Sequence, residues 1–221
     1  MRNLLLATAA GLAALAAPAS AAVTVATTTS GTNPASDPGF SPNLALIYDF
    51  DALSPTGGNL TGDYKIEVAP GTGIAAAPVG TTPGTHFLTV PDSTSNGSAT
   101  LKLGGSYKYV SFYWGSIDDY NTLELLDAGG NLLYSVTGSG LPAPTAANGN
   151  QQAPTSNRRV TFSSDAVNIA QLRLSSTNYA FEIDTVAAAV PEPATWALMI
   201  GGLGLVGFAA RRRSRQAVTC A

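Results

Sequence analysis

Apolar positions fall into two patterns along this chain: continuous runs at both ends, and between residues 44 and 186 short stretches where apolar and polar residues alternate. Ten stretches read as strands: Leu44–Asp51, Tyr64–Val68, Thr85–Val90, Ala99–Leu103, Tyr107–Trp114, Asn121–Asp127, Asn131–Thr137, Arg158–Ser163, Ile169–Ser175 and Tyr179–Val186. Alternation puts Val110, Phe112 and Trp114 on one face of their strand; Leu123 with Leu125, Leu172 with Leu174, and Phe181 with Ile183 share a face in the same way and complete the expected core. Asp127-Ala128-Gly129-Gly130-Asn131 reads as a hairpin turn, because Gly and Asn tolerate positive φ. Ten short strands punctuated by turns predict an all-β, two-sheet β-sandwich of jelly-roll type.

Two segments break the alternation. Residues 22–43, rich in Thr, Ser, Pro and Gly, read as a loosely ordered leader to a β-sandwich domain at 44–190. Residues 141–157 carry three prolines, three asparagines and two glutamines and read as either a binding loop or a disordered excursion.

The terminal runs read as addresses rather than as parts of the domain. Arg2 precedes an apolar run from Leu4 to Ala17, and the small residues Ala19 and Ala21 follow, so residues 1–21 read as a secretory signal peptide removed by signal peptidase to leave Ala22 first. At the other end, Pro191-Glu192-Pro193 precedes a 17-residue stretch, 194–210, broken only by Thr195, and then Arg211-Arg212-Arg213-Ser214-Arg215. Such a helix spans ~25 Å of a hydrocarbon layer ~30 Å thick, and snorkelling arginines make up the difference. The arginines keep their side cytoplasmic, which places a tail at 216–221 in the cytoplasm. A buried core helix would not be apolar on every face and end in four arginines. The two prolines hold the approach extended and accessible to a protease.

This order of proline motif, apolar helix and arginine cluster, with Pro191-Glu192-Pro193-Ala194-Thr195-Trp196-Ala197-Leu198-Met199-Ile200-Gly201-Gly202-Leu203-Gly204-Leu205 as its body, resembles the PEP-CTERM sorting signal of bacterial surface and matrix proteins. The resemblance implies export, a membrane-held precursor, and processing by exosortase at or near Pro191, Glu192 and Pro193, with the span and Arg211, Arg212 and Arg213 discarded. Gln216–Ala221 continues past the point where such signals end, and it holds Cys220.

Removing both signals changes the charge picture. Residues 22–190 hold six basic side chains against thirteen carboxylates, a formal charge of −7 against −3 for the whole chain. An acidic surface excludes nucleic acid as a partner and leaves cations and neutral glycans. Residues 22–190 contain no cysteine, so packing rather than disulfides must hold the domain.

Few residues suit catalysis. The chain's single histidine, His86, lies in a short strand without a G-x-S-x-G elbow, and reads as structural or surface. Asp49 with Asp51 and Glu182 with Asp184 have i, i+2 spacing, and Asp118-Asp119 sits in a turn with Asn121; these carboxylates suit calcium, or a strand's solvated face. Within the segment Tyr107 to Asn121, inward Val110, Phe112 and Trp114 imply outward Tyr109 and Tyr113 beside the acidic turn and Tyr120. That surface suits sugars, and cross-strand stiffening of the sheet is the structural alternative. This segment and Phe181-Glu182-Ile183-Asp184 are similar to a group of exosortase-dependent surface proteins, a likeness that transfers no active site.

The expectation is therefore a non-enzymatic exported surface or matrix protein, with Tyr113, Asp118, Asp119, Tyr120 and Asn121 as candidate contacts for exopolysaccharide, no required cofactor, and calcium as a candidate ion. The alternative is a carbohydrate-active hydrolase using two of Asp49, Asp51, Asp118, Asp119, Glu182 and Asp184.

Overall fold

The computed structural model describes residues 22–29, 44–165, 167–189, 200–205 and 208. Fourteen strands follow in chain order: β1 (Val23–Thr29), β2 (Leu44–Tyr48), β3 (Leu60–Gly62), β4 (Lys65–Val68), β5 (Gly71–Thr72), β6 (Ala75–Ala76), β7 (His86–Val90), β8 (Gly97–Tyr107), β9 (Tyr109–Gly115), β10 (Asn121–Leu126), β11 (Leu132–Thr137), β12 (Arg158–Ser164), β13 (Ile169–Ser176) and β14 (Phe181–Ala189). The larger sheet runs β1-β12-β9-β14-β7-β4, with β2 also on β14; the smaller runs β11-β10-β13-β8-β3, and β5 pairs with β6 as a separate ribbon. From β7 onward the chain crosses between the two sheets at every step except the β10–β11 hairpin. The hairpin turns at the expected place, where Asp127 Oδ1 accepts the Gly129 and Asn131 amides, both at 2.8 Å.

The core lies between the sheets. Val110, Phe112 and Trp114 of β9, Val160 and Phe162 of β12, and Phe181 and Ile183 of β14 meet Leu101, Leu123, Leu125, Leu172 and Leu174 of the smaller sheet. All nine expected core residues are fully buried. Trp114 stacks on Phe181 at a centroid distance of 4.2 Å, and Phe112 bridges Trp114 and Phe162 at 6.1 and 5.9 Å. Each such side chain contributes ~1.5–3 kcal/mol by leaving water.

Strand β14 is central to the larger sheet and buried on both faces. One edge pairs with β9; the other pairs with β7 along its first half and β2 along its second. Register slips on both edges near Thr185, whose φ of 47° is strained for a β-branched residue. The bulge persists because Arg159, fully buried on β12, donates to the Thr185 carbonyl at 3.2 Å and to its hydroxyl at 2.6 Å.

Three expectations are corrected. Val23–Thr29, read as part of a loose leader, is a strand with seven residue pairs to β12. Residues 141–157 are not a disordered excursion: Ser156 and Asn157 are buried, and Ser156 Oγ donates to the Ala146 carbonyl at 2.8 Å. Glu182 and Asp184 do not line a wet face, being 3% and 4% exposed.

Residues 200–205 and 208 are helical, with Ile200, Leu203, Leu205 and Phe208 exposed. Among the described residues no helix is long and apolar enough to cross a membrane. Ala19, Ala21, Pro191, Glu192, Pro193, Arg211, Arg212 and Arg213, and most of the expected span 194–210, lie outside the described residues.

Replacing Trp114 by Ala should remove the stack on Phe181 and cost ~3–5 kcal/mol through cavity formation, read as a lower denaturant midpoint. An unchanged midpoint would mean that the ring does not hold the sheets together.

Candidate functional site

The site lies on the outer face of the larger sheet. Strand alternation sends Glu182 and Asp184 of β14, Ser111 and Tyr113 of β9, and Arg159 and Thr161 of β12 away from the core. Register aligns Arg159, Tyr113 and Asp184 in one row across three strands. Two loops cover this polar face. Residues 69–85, which carry β5 and β6, press Pro78 so close to Gly115 that a Cβ there would meet Pro78 Cα at 2.7 Å. Residues 141–157 complete the cover through Asn157, whose Oδ1 accepts the Val79 and Ser116 amides at 3.0 and 3.1 Å while its Nδ2 donates to the Asn150 and Ala153 carbonyls.

Between the loops is a cleft of about 310 Å³. Gly73 to Ala76 form one wall, Asn148, Gly149 and Gln151 the other, and Ser116, Asp118, Tyr120, Tyr179, Ala180 and Glu182 line the rest. A second cleft of about 260 Å³, lined by Pro70, Ala76–Thr81, Pro83, Gln151 and Gln152, shares Ala76 and Gln151 with the first, so the two adjoin.

Glu182 is held from both sides: its Oε1 accepts the Ala76 amide at 3.2 Å and its Oε2 the Ser116 hydroxyl at 2.8 Å. Burial pushes its carboxyl up to about 8, against the lowering influence of these two donors, and the Asp118 charge adds to the rise. Burial also raises Asp118, with Tyr120 opposing and Asp119 adding. Tyr120 donates to the Tyr179 carbonyl at 2.8 Å, and burial together with the adjacent Asp118 raises its hydroxyl too. Asp118 is hemmed in by Gly149, where a Cβ would fall 2.4 Å from a carboxyl oxygen and φ is +62°. Further along β14, burial pushes Asp184 up to about 7; the Thr185 amide opposes this, the Asp51 and Asp49 charges add to it, and Arg159 opposes it.

The expected site is thus only partly assembled. Asp118 and Tyr120 enter the cleft, whereas Asp119 is exposed and outside its lining. Asn121 is buried as a bracket, accepting the Asp118 amide at 3.0 Å and donating to Ser176 Oγ and the Ala180 carbonyl. Tyr113 is not an outward sugar platform: it is 0% exposed, and its hydroxyl donates to the Val79 carbonyl at 2.8 Å. Tyr109 does face outward, at 47% exposure. The sequence reading missed Ser116, Asn148 and Gln151 as lining residues and assigned Glu182 to the wrong surroundings. Ala22 is exposed, and its amide donates to Asp165 Oδ1 at 2.9 Å.

The remaining carboxylates do other work. Asp49 accepts the Asp51 and Leu53 amides, and Asp51 pairs with His86 Nδ1 at 2.5 Å. Among the described residues no three His, Cys, Asp or Glu side chains converge to hold a metal ion.

Comparison with known proteins adds the decisive observation on sorting. Residues 189–213 match the PEP-CTERM protein-sorting motif. The chain carries a PEP-CTERM sorting signal. The match begins at Ala189, the last residue of β14, so the signal leaves directly from the central strand of the larger sheet. This motif directs exosortase-dependent sorting toward the cell surface. No curated protein matches the chain. Among solved structures, 60% of the chain is similar to the enzymatically active domain of bacteriophage CBA120 tailspike protein 4, at 16% identity and a TM-score of 0.31, taking in 20% of that chain. A similar 60% aligns with CpGH89CBM32-6 produced by Clostridium perfringens, at 10% identity and a TM-score of 0.31, taking in 94% of that chain.

Glu182 and Asp184 titrate above their ordinary values, so between the usual carboxylate range and about pH 8 the native state binds more protons than the unfolded chain. Their stabilisation is complete at low pH and lost as pH rises through about 7 and about 8. Urea midpoints should fall from pH 5 to pH 9. Glu182→Gln keeps an acceptor for the Ala76 amide and reverses the Ser116 bond, with the new amide nitrogen donating to the Ser116 hydroxyl, and should flatten that fall; an unaltered slope would exclude Glu182 as its source.

Proposed function

We propose that the protein is a non-enzymatic surface or matrix protein that is exported, held briefly in the membrane by residues 194–210, cut by exosortase at Pro191-Glu192-Pro193, and retained through contact with exopolysaccharide. The observation that carries this reading is the sorting motif at 189–213 joined directly to β14. The binding part rests on the cleft. Asp118, Tyr120, Ser116, Asn148 and Gln151 supply hydroxyl, amide and carboxyl groups, and the adjoining second cleft with Pro70, Pro78 and Pro83 gives an extended chain further surface. Neutral polyols suit a site whose Glu182 carboxyl is uncharged near neutral pH. Calcium is not required by this reading.

One observation favours a second reading, a glycoside hydrolase: Asp118 and Glu182 line the same cleft, and Glu182 keeps a proton near neutral pH as a general acid must. Burial weighs against it. A general acid needs its oxygen within hydrogen-bond reach of the leaving group, and both Glu182 oxygens are engaged by Ser116 and Ala76.

Titrating the processed protein with the producing cell's own exopolysaccharide tests the leading reading. Tyr120→Ala and Asp118→Ala should each weaken binding ~10-fold or more, the effect of a lost hydrogen bond that leaves a buried partner unmet, while Asp119→Ala should bind like wild type. Equal binding by all variants would remove the cleft, and release of reducing ends by wild type but not by Glu182→Gln would make the hydrolase the better account.

Processing has its own test. An epitope placed after Ala221 should be present on the membrane precursor and absent from surface-exposed protein. An epitope still present at the surface would contradict cleavage.

A further inference from the structure

We propose that β1 is a donor strand, which in the processed protein pairs with β12 of a second copy and so links copies in series at the cell surface. This rests on the reading that residues 1–21 are removed, because only a strand with a free end can enter another sheet edge without threading. Ala22 stands at that end. Its amide already donates to Asp165 Oδ1 at 2.9 Å, a contact that cleavage converts into an ammonium–carboxylate pair.

Three features of β1 suit it to exchange. It forms the edge of the larger sheet, and its strand partner is β12, through seven residue pairs from Val23–Ser164 to Thr29–Arg158. It adds little to the core: Val23 and Val25 are partly buried against it, whereas Thr24, Ala26 and Thr28 are exposed. Most of what holds it is therefore the main-chain ladder, which an identical strand from another copy reproduces. Donor strand and acceptor edge are different surfaces, so the contact is head-to-tail and need not close on itself.

The tether also permits it. In the larger sheet β1 and β2 are separated by β12, β9 and β14, which makes four strand spacings or ~19 Å. Alternating antiparallel pairing makes β1 and β2 run in the same direction, so the chain must also return along the sheet. Thr29 stands level with Arg158, Trp114 and Ile183, whereas Leu44 pairs with Ala189, ~20 Å further along β14. The two ends are thus ~28 Å apart in the closed form, by those spacings. Residues 30–43 reach up to ~50 Å when extended, nearly twice that separation and enough to deliver β1 to a neighbour. Closed and exchanged forms keep the same contacts, so crowding at a surface decides between them.

Cross-linking distinguishes the two forms. Thr24 and Ser163 are directly opposed on the outer side of the β1–β12 pair, at a separation a disulfide can bridge. Residues 22–190 lack cysteine, and Cys220→Ser removes the remaining one from the precursor. Cells producing the Thr24→Cys chain together with the Ser163→Cys chain should yield a reducible heterodimer among the surface-exposed protein, and the double variant a ladder of covalent oligomers. Ala26→Cys with Thr161→Cys, another opposed pair, repeats the test should the first pair disturb folding. Double variants that form only an internally linked monomer, with no heterodimer between single variants, would overturn the proposal. Terminal sequencing of the same bands separates the readings. Monomers that begin at Ala22 sink exchange and leave signal removal intact, while monomers that begin at Met1 sink both.

Discussion

The constraint on which this domain depends is the burial of charged and polar side chains on the outer face of its central strand. β14 carries Glu182 and Asp184 away from the hydrophobic core, and both are covered. A buried carboxyl group is tolerated only when it stays protonated or finds donors, and here both happen. Glu182 takes the Ser116 hydroxyl and the Ala76 amide, while Asp184 takes the Thr185 amide at 2.6 Å and lies near the Arg159 charge. Arg159 in turn fixes the bulge at Thr185. Of these partners only the Ala76 amide comes from a covering loop; the loops close the face against water, and Asn157 locks them to each other and to the end of β9. The cleft is the space they leave over Glu182.

That arrangement ties the site to the sorting signal through one strand. Glu182 lies near the start of β14 and Ala189 at its end, a separation of ~23 Å for seven residues of extended chain. Glu182 of the cleft and the first residue of the sorting motif are therefore at opposite ends of the same strand. Every strand of the domain ends at or before Ala189, where the sorting motif begins.

The core and the longer strands were legible in the sequence because period-two alternation is a local signal, whereas β1 and the two- and three-residue strands β3, β5 and β6 were not. Each of the ten expected strands has a counterpart, and Val110, Phe112 and Trp114 lie where their spacing puts them. The second layer was not legible. Tyr113 alternates correctly with Trp114, but its hydroxyl is held by the Val79 carbonyl, more than thirty residues earlier in the chain. β1 was missed because Val23–Thr29, with four threonines and an alanine, adds little to the apolar pattern, and its order comes from the β12 edge. The burial of Glu182 and Asp184 does leave a mark in the sequence. The run Val186-Ala187-Ala188-Ala189 has no polar alternation, which marks a central strand covered on both faces, and acids within such a strand are buried acids. The asparagines and glutamines of 141–157 were recognised as a unit, but their placement over Asp118 depends on long-range bonds that no local pattern encodes.

The central claim is that a protonated Glu182 beneath the cleft is the floor of a glycan site. Carbon-detected NMR of the side-chain carboxyl groups, followed from pH 4 to pH 10 with and without oligosaccharides cut from the cell's own exopolysaccharide, reads this directly. The account predicts that Glu182 titrates near 8 in the free protein and that sugar shifts the resonances of both Glu182 and Asp118. A Glu182 carboxyl that titrates in the ordinary range and ignores added sugar would contradict it.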